Sequence, residues 1–245
     1  MGKISSQQIK DIRSLAAKKY RDERGLFVVE GEKMVEEARR CGLRIEQVWY
    51  RDEIGDEAMA RISQLNSPSP VLAVVRKPED LHTAAPDPEK GLFLALDAIR
   101  DPGNLGTIIR VAEWFGADGI FASEDSVDLF NPKVVQATMG AIFRVPFHYT
   151  DLPELAMRIR ARKGRVYGTF LDGKTLYDKD LSNGSEAPSL IVTGNESHGI
   201  SPAVAAVVTD RLYIPPFPPD DPGSESLNAA VATAITLAEF RRRTL

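Results

Sequence analysis

The chain has 245 residues, 43% hydrophobic and 27% charged, with 31 Lys and Arg against 35 Asp and Glu for a net charge of −4. This composition excludes a largely disordered chain, and the acidic balance excludes broad coating of nucleic acid driven by phosphate neutralisation. One cysteine, Cys41, excludes an internal disulfide, no apolar run approaches the ~20 residues of a membrane span, and no secretory signal opens the chain, so a cytoplasmic protein away from membranes is expected.

The first 24 residues hold Lys3, Lys10, Arg13, Lys18, Lys19, Arg21 and Arg24 against Asp11, Asp22 and Glu23. Such a cluster reads either as a local surface for nucleic-acid phosphates or as the solvated face of a helix. Ile9, Ile12, Leu15 and Ala16 recur at helical spacing behind the capping serines Ser5 and Ser6, which predicts one helix over 5–20. Strand 26–29, helix 32–41, strand 45–50, helix 57–64 and strand 71–75 follow, a small α/β domain spanning residues 1–77 with Trp49 in its core. Residues 78–91, PEDLHTAAPDPEKG, hold three prolines and read as a linker.

From Leu92 to Leu245 the alternation resumes as strand, helix 104–115, strand 119–122, helix 131–138, strand 144–148, helix 152–163 and strand 165–170. After a polar stretch at 172–188 come strand 189–193, helix 202–207, strand 211–214 and a terminal helix over 225–243. Strands alternating with helices predict a doubly wound, mostly parallel sheet with both faces covered. Three strands end in polar, glycine-bearing loops: Leu96 to Arg110 through Pro102-Gly-Asn-Leu-Gly106, Leu190 to Ile200 through Thr193-Gly-Asn-Glu-Ser-His-Gly199, and Leu212 to Asn228 through a proline-rich loop. Ligands of open α/β sheets bind at such carboxyl edges, and three of them suggest one site.

These blocks resemble the SpoU/TrmH group of the SPOUT superfamily, the RNA ribose 2′-O-methyltransferases. Asn104, Gly106 and Arg110 match the first motif of that family. Gly194, Asn195, Glu196 and Gly199 match the second, and Ile214, Pro215, Ser226, Leu227 and Asn228 the third. Residues 1–75 resemble, more loosely, the small RNA-binding domain that often precedes this catalytic domain, through Gly25-Leu-Phe-Val-Val-Glu-Gly31. Two departures stand out: the loop 215–224 is longer and richer in proline than is common, and Ala229-Ala230 stand where larger or hydroxyl residues often follow the asparagine.

The resemblance implies a SPOUT-type parallel-sheet domain with a carboxyl-terminal trefoil knot, S-adenosylmethionine as cofactor, RNA as substrate and a homodimer. The final helix and the helix after the first motif become interface candidates. Ribosomal RNA is favoured over transfer RNA by the separate amino-terminal domain. Within it, Lys10, Arg13, Lys18, Lys19, Arg21 and Arg24 become the candidate RNA contacts.

Methyl transfer to a ribose hydroxyl is an in-line displacement, and alignment of the reactants is worth about 7–11 kcal/mol. Arg110 is assigned to clamp phosphate and stabilise the developing alkoxide, because a guanidinium stays protonated and makes a poor base. Asn104 reads as a turn former or a ribose ligand. Glu196 reads as an acceptor for Arg110, ribose or loop amides, or as an acid favoured at a helix entry. Ser226 and Asn228 are expected to orient Arg110 and the substrate. The cofactor is expected among the main chain of Thr193, Gly194, Asn195 and Gly199 and the segment of Ile214, Pro215 and Leu227, with glycine at 194 allowing close approach. Trp114 is expected in the core or at a dimer contact, and His198 is read as a loop residue.

His82, His148 and His198 lack metal-ligand spacing, so no metal is expected. A transfer-RNA methyltransferase and an inactive RNA-binding or ribosome-assembly protein are the alternatives. A serine esterase would need GxSxG, which Gly194 to Gly199 misses by one residue, and a nicotinamide oxidoreductase would need the absent GxGxxG.

Overall fold

A computed structural model of the protein describes residues 4–78, 88–181, 187–218 and 225–243, which form two compact units. One unit comprises the described residues within Met1–Leu81 together with Asp128–Arg144, and the other those within His82–Val127 and Val145–Leu245. Most of the expected linker and the tip of the proline-rich loop lie outside the described residues.

The first unit opens with two helices where one was expected, α1 (Ser6–Ser14) and α2 (Lys18–Arg24). Ser5 and Gln8 form a reciprocal capping box at the start of α1. The break falls at 15–17 because carbonyls there are taken by a side chain: the Arg21 guanidinium donates to Leu15 O at 2.8 Å and Ala16 O at 2.7 Å. Arg21 is 2% exposed and also pairs with Asp128 at 2.6 Å. It is therefore withdrawn from the expected RNA surface, since its charge and its hydrogen-bonding fork are committed inside the unit.

Strands β1 (Leu26–Glu30), β2 (Ile45–Tyr50) and β3 (Val71–Arg76) pair antiparallel in the order β1-β3-β2, with α3 (Glu32–Arg40), α4 (Arg51–Ile54) and α5 (Asp56–Ile62) between them. Ile9, Ile12 and Leu15 of the amino-terminal segment pack on Val28, Trp49, Met59, Ile62, Leu72 and Val74, so the period read as helical does bury one face. Helix α7 (Pro132–Ala137) was expected inside the catalytic domain but belongs to this unit. Phe27 meets Phe130 with ring centroids 4.6 Å apart, and Lys77 Nζ sits 5.0 Å from the Phe130 ring. Arg144, at the end of the same segment, pairs with Glu37.

The second unit is a seven-stranded parallel sheet. Its strands are β4 (Gly91–Leu96), β5 (Gly119–Ala122), β6 (Phe147–Tyr149), β7 (Arg165–Phe170), β8 (Lys174–Thr175), β9 (Pro188–Thr193) and β10 (Asp210–Tyr213), ordered β6-β5-β4-β9-β7-β10-β8. Every residue of β9 is buried, as a strand covered on both faces requires. Helices α8 (Leu152–Ala161) and α9 (Pro202–Ala205) bring Leu152, Leu155, Ile159 and Val204 onto Ala95, Phe121, Val166, Leu190 and Val192. Helices α6 (Pro102–Trp114) and α10 (Ala229–Arg242) pack on each other. Tyr167 of β7 meets Phe240 of α10 edge-on at 4.9 Å. The last helix starts at Ala229 and not at 225, because Asn228 is its N-cap. The polar stretch expected at 172–188 contributes β8 and a short 3-10 turn at Leu176–Asp178.

An ion-pair cluster ties the start of β10 to its neighbours. Asp210 accepts from Arg165 Nη2 and Lys179 Nζ, each at 2.7 Å, and from Thr209 Oγ1 at 2.8 Å. Burial alone would raise the Asp210 carboxyl; the hydrogen bonds from Arg165, Lys179 and Thr209 override it and hold the group at about 2 against an ordinary 3.8. A depressed folded-state value means that this stabilisation is complete above the ordinary carboxylate range and is lost as pH falls through about 2. Asp210→Asn is thus expected to lower Tm at neutral pH and to lower it progressively less toward pH 2 in calorimetry of the two proteins; a pH-independent difference would contradict this.

Candidate active site

The three loops expected to converge do so at the carboxyl edge of the second unit's sheet. Asp101 caps α6 by accepting the Asn104 N–H at 2.8 Å, with Pro102 in the first turn, where a missing donor costs nothing. Asn104 then reaches both other motifs. Its Nδ2 donates to Glu196 Oε1 at 2.9 Å, and its Oδ1 accepts from Asn228 Nδ2 at 2.8 Å. One amide joins residues 92 and 124 positions away in sequence. Asn228 uses its remaining atom on its own helix: Oδ1 accepts from Ala230 N at 2.9 Å and Val231 N at 3.3 Å. The side-chain oxygen caps α10, and the nitrogen ties that helix to α6.

The loop after β9 is closed by two backbone bonds of 2.9 Å exchanged between Asn195 and Gly199. Asn195 Oδ1 accepts the N–H groups of Ser197 at 2.9 Å and His198 at 3.1 Å, and its Nδ2 donates to Ala98 O at 2.7 Å. Asn195 thus organises the loop instead of facing outward, while Glu196 and His198 are exposed. Glycine at 194 is required by the loop itself. A Cβ there would collide with the backbone of Gly199 and Ile200, so the close approach is made by the chain's own loop.

Thr193 is buried, its hydroxyl 2.9 Å from that of Thr233 on α10 and its carbonyl accepting the Asp97 N–H at 2.9 Å. Ile214 and Pro215 are half-buried just past β10, and Leu227 is exposed before the cap of α10.

Arg110 lies seven residues after Gly103, hence two turns along the same stripe of α6. It is exposed, and among the described residues its side chain makes no hydrogen bond or ion pair. Ser226 is likewise exposed and without a side-chain hydrogen bond among them. The structure therefore brings Asn104, Glu196 and Asn228 together and leaves Arg110 and Ser226 outside that network; the expected orientation of Arg110 by Ser226 and Asn228 is not made. Trp114 ends α6 at 84% exposure, so it is not in the core of its own chain. Asp101 and Thr233 escaped the sequence reading. An acid directly before Pro-Gly and a threonine four residues after Ala229 were the available signals.

In the first unit the remaining basic candidates divide by partner. Lys18 pairs with Asp22 at 2.5 Å, Lys19 with Glu23 at 3.8 Å and Arg24 with Asp11 at 2.9 Å, all exposed. Lys10 and Arg13 are exposed and without ion pairs among the described residues. No group of three or more His, Cys, Asp or Glu among the described residues is placed to hold a metal ion, and no described helix is long and apolar enough to cross a membrane.

A parallel α/β sheet with an amide-linked polar cluster at its carboxyl edge places the candidate site where open α/β folds bind their ligands. The SpoU rRNA Methylase family model matches residues 91–238, and the chain belongs to that family. The MRM3-like substrate binding domain matches residues 6–77. The chain is 31% identical to the 23S rRNA (guanosine(2553)-2′-O)-methyltransferase RlmP of Bacillus subtilis, over 96% of each chain. Among solved structures, a TrmH-family protein of Porphyromonas gingivalis is similar at 38% identity and TM-score 0.86, over 99% of this chain and 100% of that one. An AdoMet-bound rRNA methyltransferase of Sinorhizobium meliloti is similar at 30% identity and TM-score 0.87, over 100% of this chain and 98% of that one.

Gly194→Ala is expected to open the Asn195–Gly199 pair and weaken S-adenosylmethionine binding in calorimetry by at least about tenfold, since one methyl group cannot share space with a backbone. Unchanged affinity would remove this loop from the cofactor site.

Proposed function

We propose that the protein transfers a methyl group from S-adenosylmethionine to a ribose 2′-hydroxyl of ribosomal RNA, as a cytoplasmic homodimer whose catalytic domain carries a carboxyl-terminal trefoil knot. The observation that carries the reading is the hydrogen-bonded series Asn228–Asn104–Glu196, which links all three sequence motifs at one sheet edge. Resemblance to ribosomal RNA methyltransferases along nearly the whole chain, with a substrate-binding match over 6–77, supports ribosomal over transfer RNA. The knot is supported by the SpoU-family match over residues 91–238.

The residues present fit the donor. Leu171, Phe217 and Leu227 expose apolar side chains just past β7, past β10 and before α10, a suitable lining for an adenosyl group. The main chain of Gly194 to Gly199, Ile214 and Pro215 supplies the polar edge. When bound, S-adenosylmethionine supplies an electrophilic methyl carbon on a sulfonium.

The chain's own residues would align the ribose 2′-hydroxyl with that carbon, and the proton the hydroxyl loses would pass to the Glu196 carboxylate. Glu196 Oε1 is held by Asn104, whereas Oε2 has only a 3.4 Å contact with Asn195 Nδ2, so Oε2 is open to accept the 2′-hydroxyl. The Arg110 fork clasps the neighbouring phosphate while stabilising the oxygen as it loses its proton. The absence of side-chain partners among the described residues leaves the fork open for this use. Lys10 and Arg13 of the first unit contribute phosphate contacts.

With labelled donor and unmodified ribosomal RNA, wild type is expected to label ribose, and Arg110→Ala to lose about 100-fold or more in turnover with donor affinity unchanged. Arg110→Lys keeps the charge without the planar fork and should not restore it; near-full turnover in that variant would overturn the role. Trp114 at 84% exposure and the exposed Val231 leave apolar surface on both expected interface helices. Trp114→Glu should shift the sedimentation mass from dimer to monomer, and a wild type that sediments as a monomer at all concentrations would remove the assembly.

A further inference from the structure

The turn after β4 contains a buried acid that the reaction as described leaves unused. Asp97 is 5% exposed at the end of an apolar strand. Its Oδ2 accepts the Ser201 N–H at 2.6 Å, and its own N–H donates to Thr193 O at 2.9 Å. The next residue, Ala98, has φ +56°, the left-handed region that a Cβ disfavours and that glycine would occupy freely. Strain of this kind persists only where surrounding bonds over-determine it. Here they do: the Ala98 N–H donates to Ser123 Oγ at 2.8 Å, and its carbonyl accepts Asn195 Nδ2 at 2.7 Å. Ser123 Oγ in turn donates to Asp125 at 2.7 Å.

One dipeptide therefore grips the loop after β9 at both ends, Asn195 through the Ala98 carbonyl and Ser201 through the Asp97 carboxylate. Between these two ties lies Glu196, the loop residue that meets Asn104. An acid taken out of water for a single amide partner is a costly way to hold a turn unless that amide must be placed accurately. The neighbouring ties have no such freedom, since Asn195 already commits its oxygen to Ser197 and His198.

We propose that Asp97 is a positioning residue for methyl transfer: together with the left-handed Ala98 it sets the loop 194–200 and so places Glu196 against Asn104. The role rests on the reading of Glu196 as part of the transfer site. A purely structural part for Asp97, propping α9 on the sheet, predicts a loss of stability that is indifferent to Glu196.

The test combines amide hydrogen exchange with a double-mutant cycle on the full-length protein, using Asp97→Ala, Asp97→Asn, Glu196→Ala and the Asp97→Ala/Glu196→Ala pair. In Asp97→Ala the amides of Asn195, Gly199 and Ser201 should exchange at least about tenfold faster while those of β4 and β9 keep their protection. Its turnover should fall about tenfold in the wild-type background and hardly at all in the Glu196→Ala background, because residues acting as a unit are not additive. Asp97→Asn keeps an acceptor for Ser201 and should recover most of both. Where Asp97→Ala does not fold, Ser123→Ala, which frees the Ala98 N–H from the other side of the turn, is read by the same exchange and cycle. Unchanged exchange in the loop overturns the proposal, as does a turnover loss of equal size with and without Glu196. A wild type without methyl transfer removes the enzymatic reading and this role together, whereas an active wild type with an indifferent Asp97 removes the role alone.

Discussion

The hydrogen bonds from the Asn104 amide hold the candidate site together, and they exist because the parallel sheet reverses its winding between β4 and β9. From β4 the chain moves outward through β5 and β6; it then returns on the other side through β7, and β9 is inserted beside β4. Strand ends at such a reversal have their following loops directed apart, which opens a crevice at the carboxyl edge. Asn104 stands on the loop from β4, Glu196 on the loop from β9, and Asn228 at the entry of the helix that returns from β10. An amide is the suitable side chain there, since it can donate to an acid and accept from another amide at once, which neither a carboxylate nor a lysine can do.

The network is rigid on one side and open on the other. Asn195, Gly194 and Thr193 are engaged with the loop, its facing backbone and α10, so the main chain that would meet a cofactor is set before anything binds. Preorganisation of this sort is a source of rate in transfer reactions. Glu196, Arg110 and Ser226, by contrast, remain exposed.

Charge within the first unit follows a similar division. Arg21 serves as an internal brace that interrupts an otherwise continuous helix and holds Asp128, and with it the segment that carries Phe130 and α7. Exposed pairs such as Lys18 with Asp22 gain little in water, which leaves those lysines available to a phosphate competitor at small cost.

Much of the secondary structure was legible in the sequence because it depends on neighbours close in the chain. Apolar runs marked β4, β7 and β9, capping serines marked α1, and the motif order identified which strand ends would matter. Three features required the tertiary structure. Nothing local distinguishes Arg21 from Lys18 as buried, because the distinction is made by Asp128, 107 residues away. Likewise, the departure of 128–144 into the first unit rests on Phe27 and Glu37, which no period along the segment reveals. Gly194 was read as a place needing glycine for a cofactor's approach, while the requirement visible in the fold, the backbone of Gly199 and Ile200 turning back over it, has no signal in the sequence. By itself the sequence determined which main segments form strands and helices and what chemistry their loops can carry, since those follow from short-range periodicity. Which of these side chains are spent on the fold and which are left for a substrate was decided by long-range packing, because burial and hydrogen-bond partners exist only once distant segments meet.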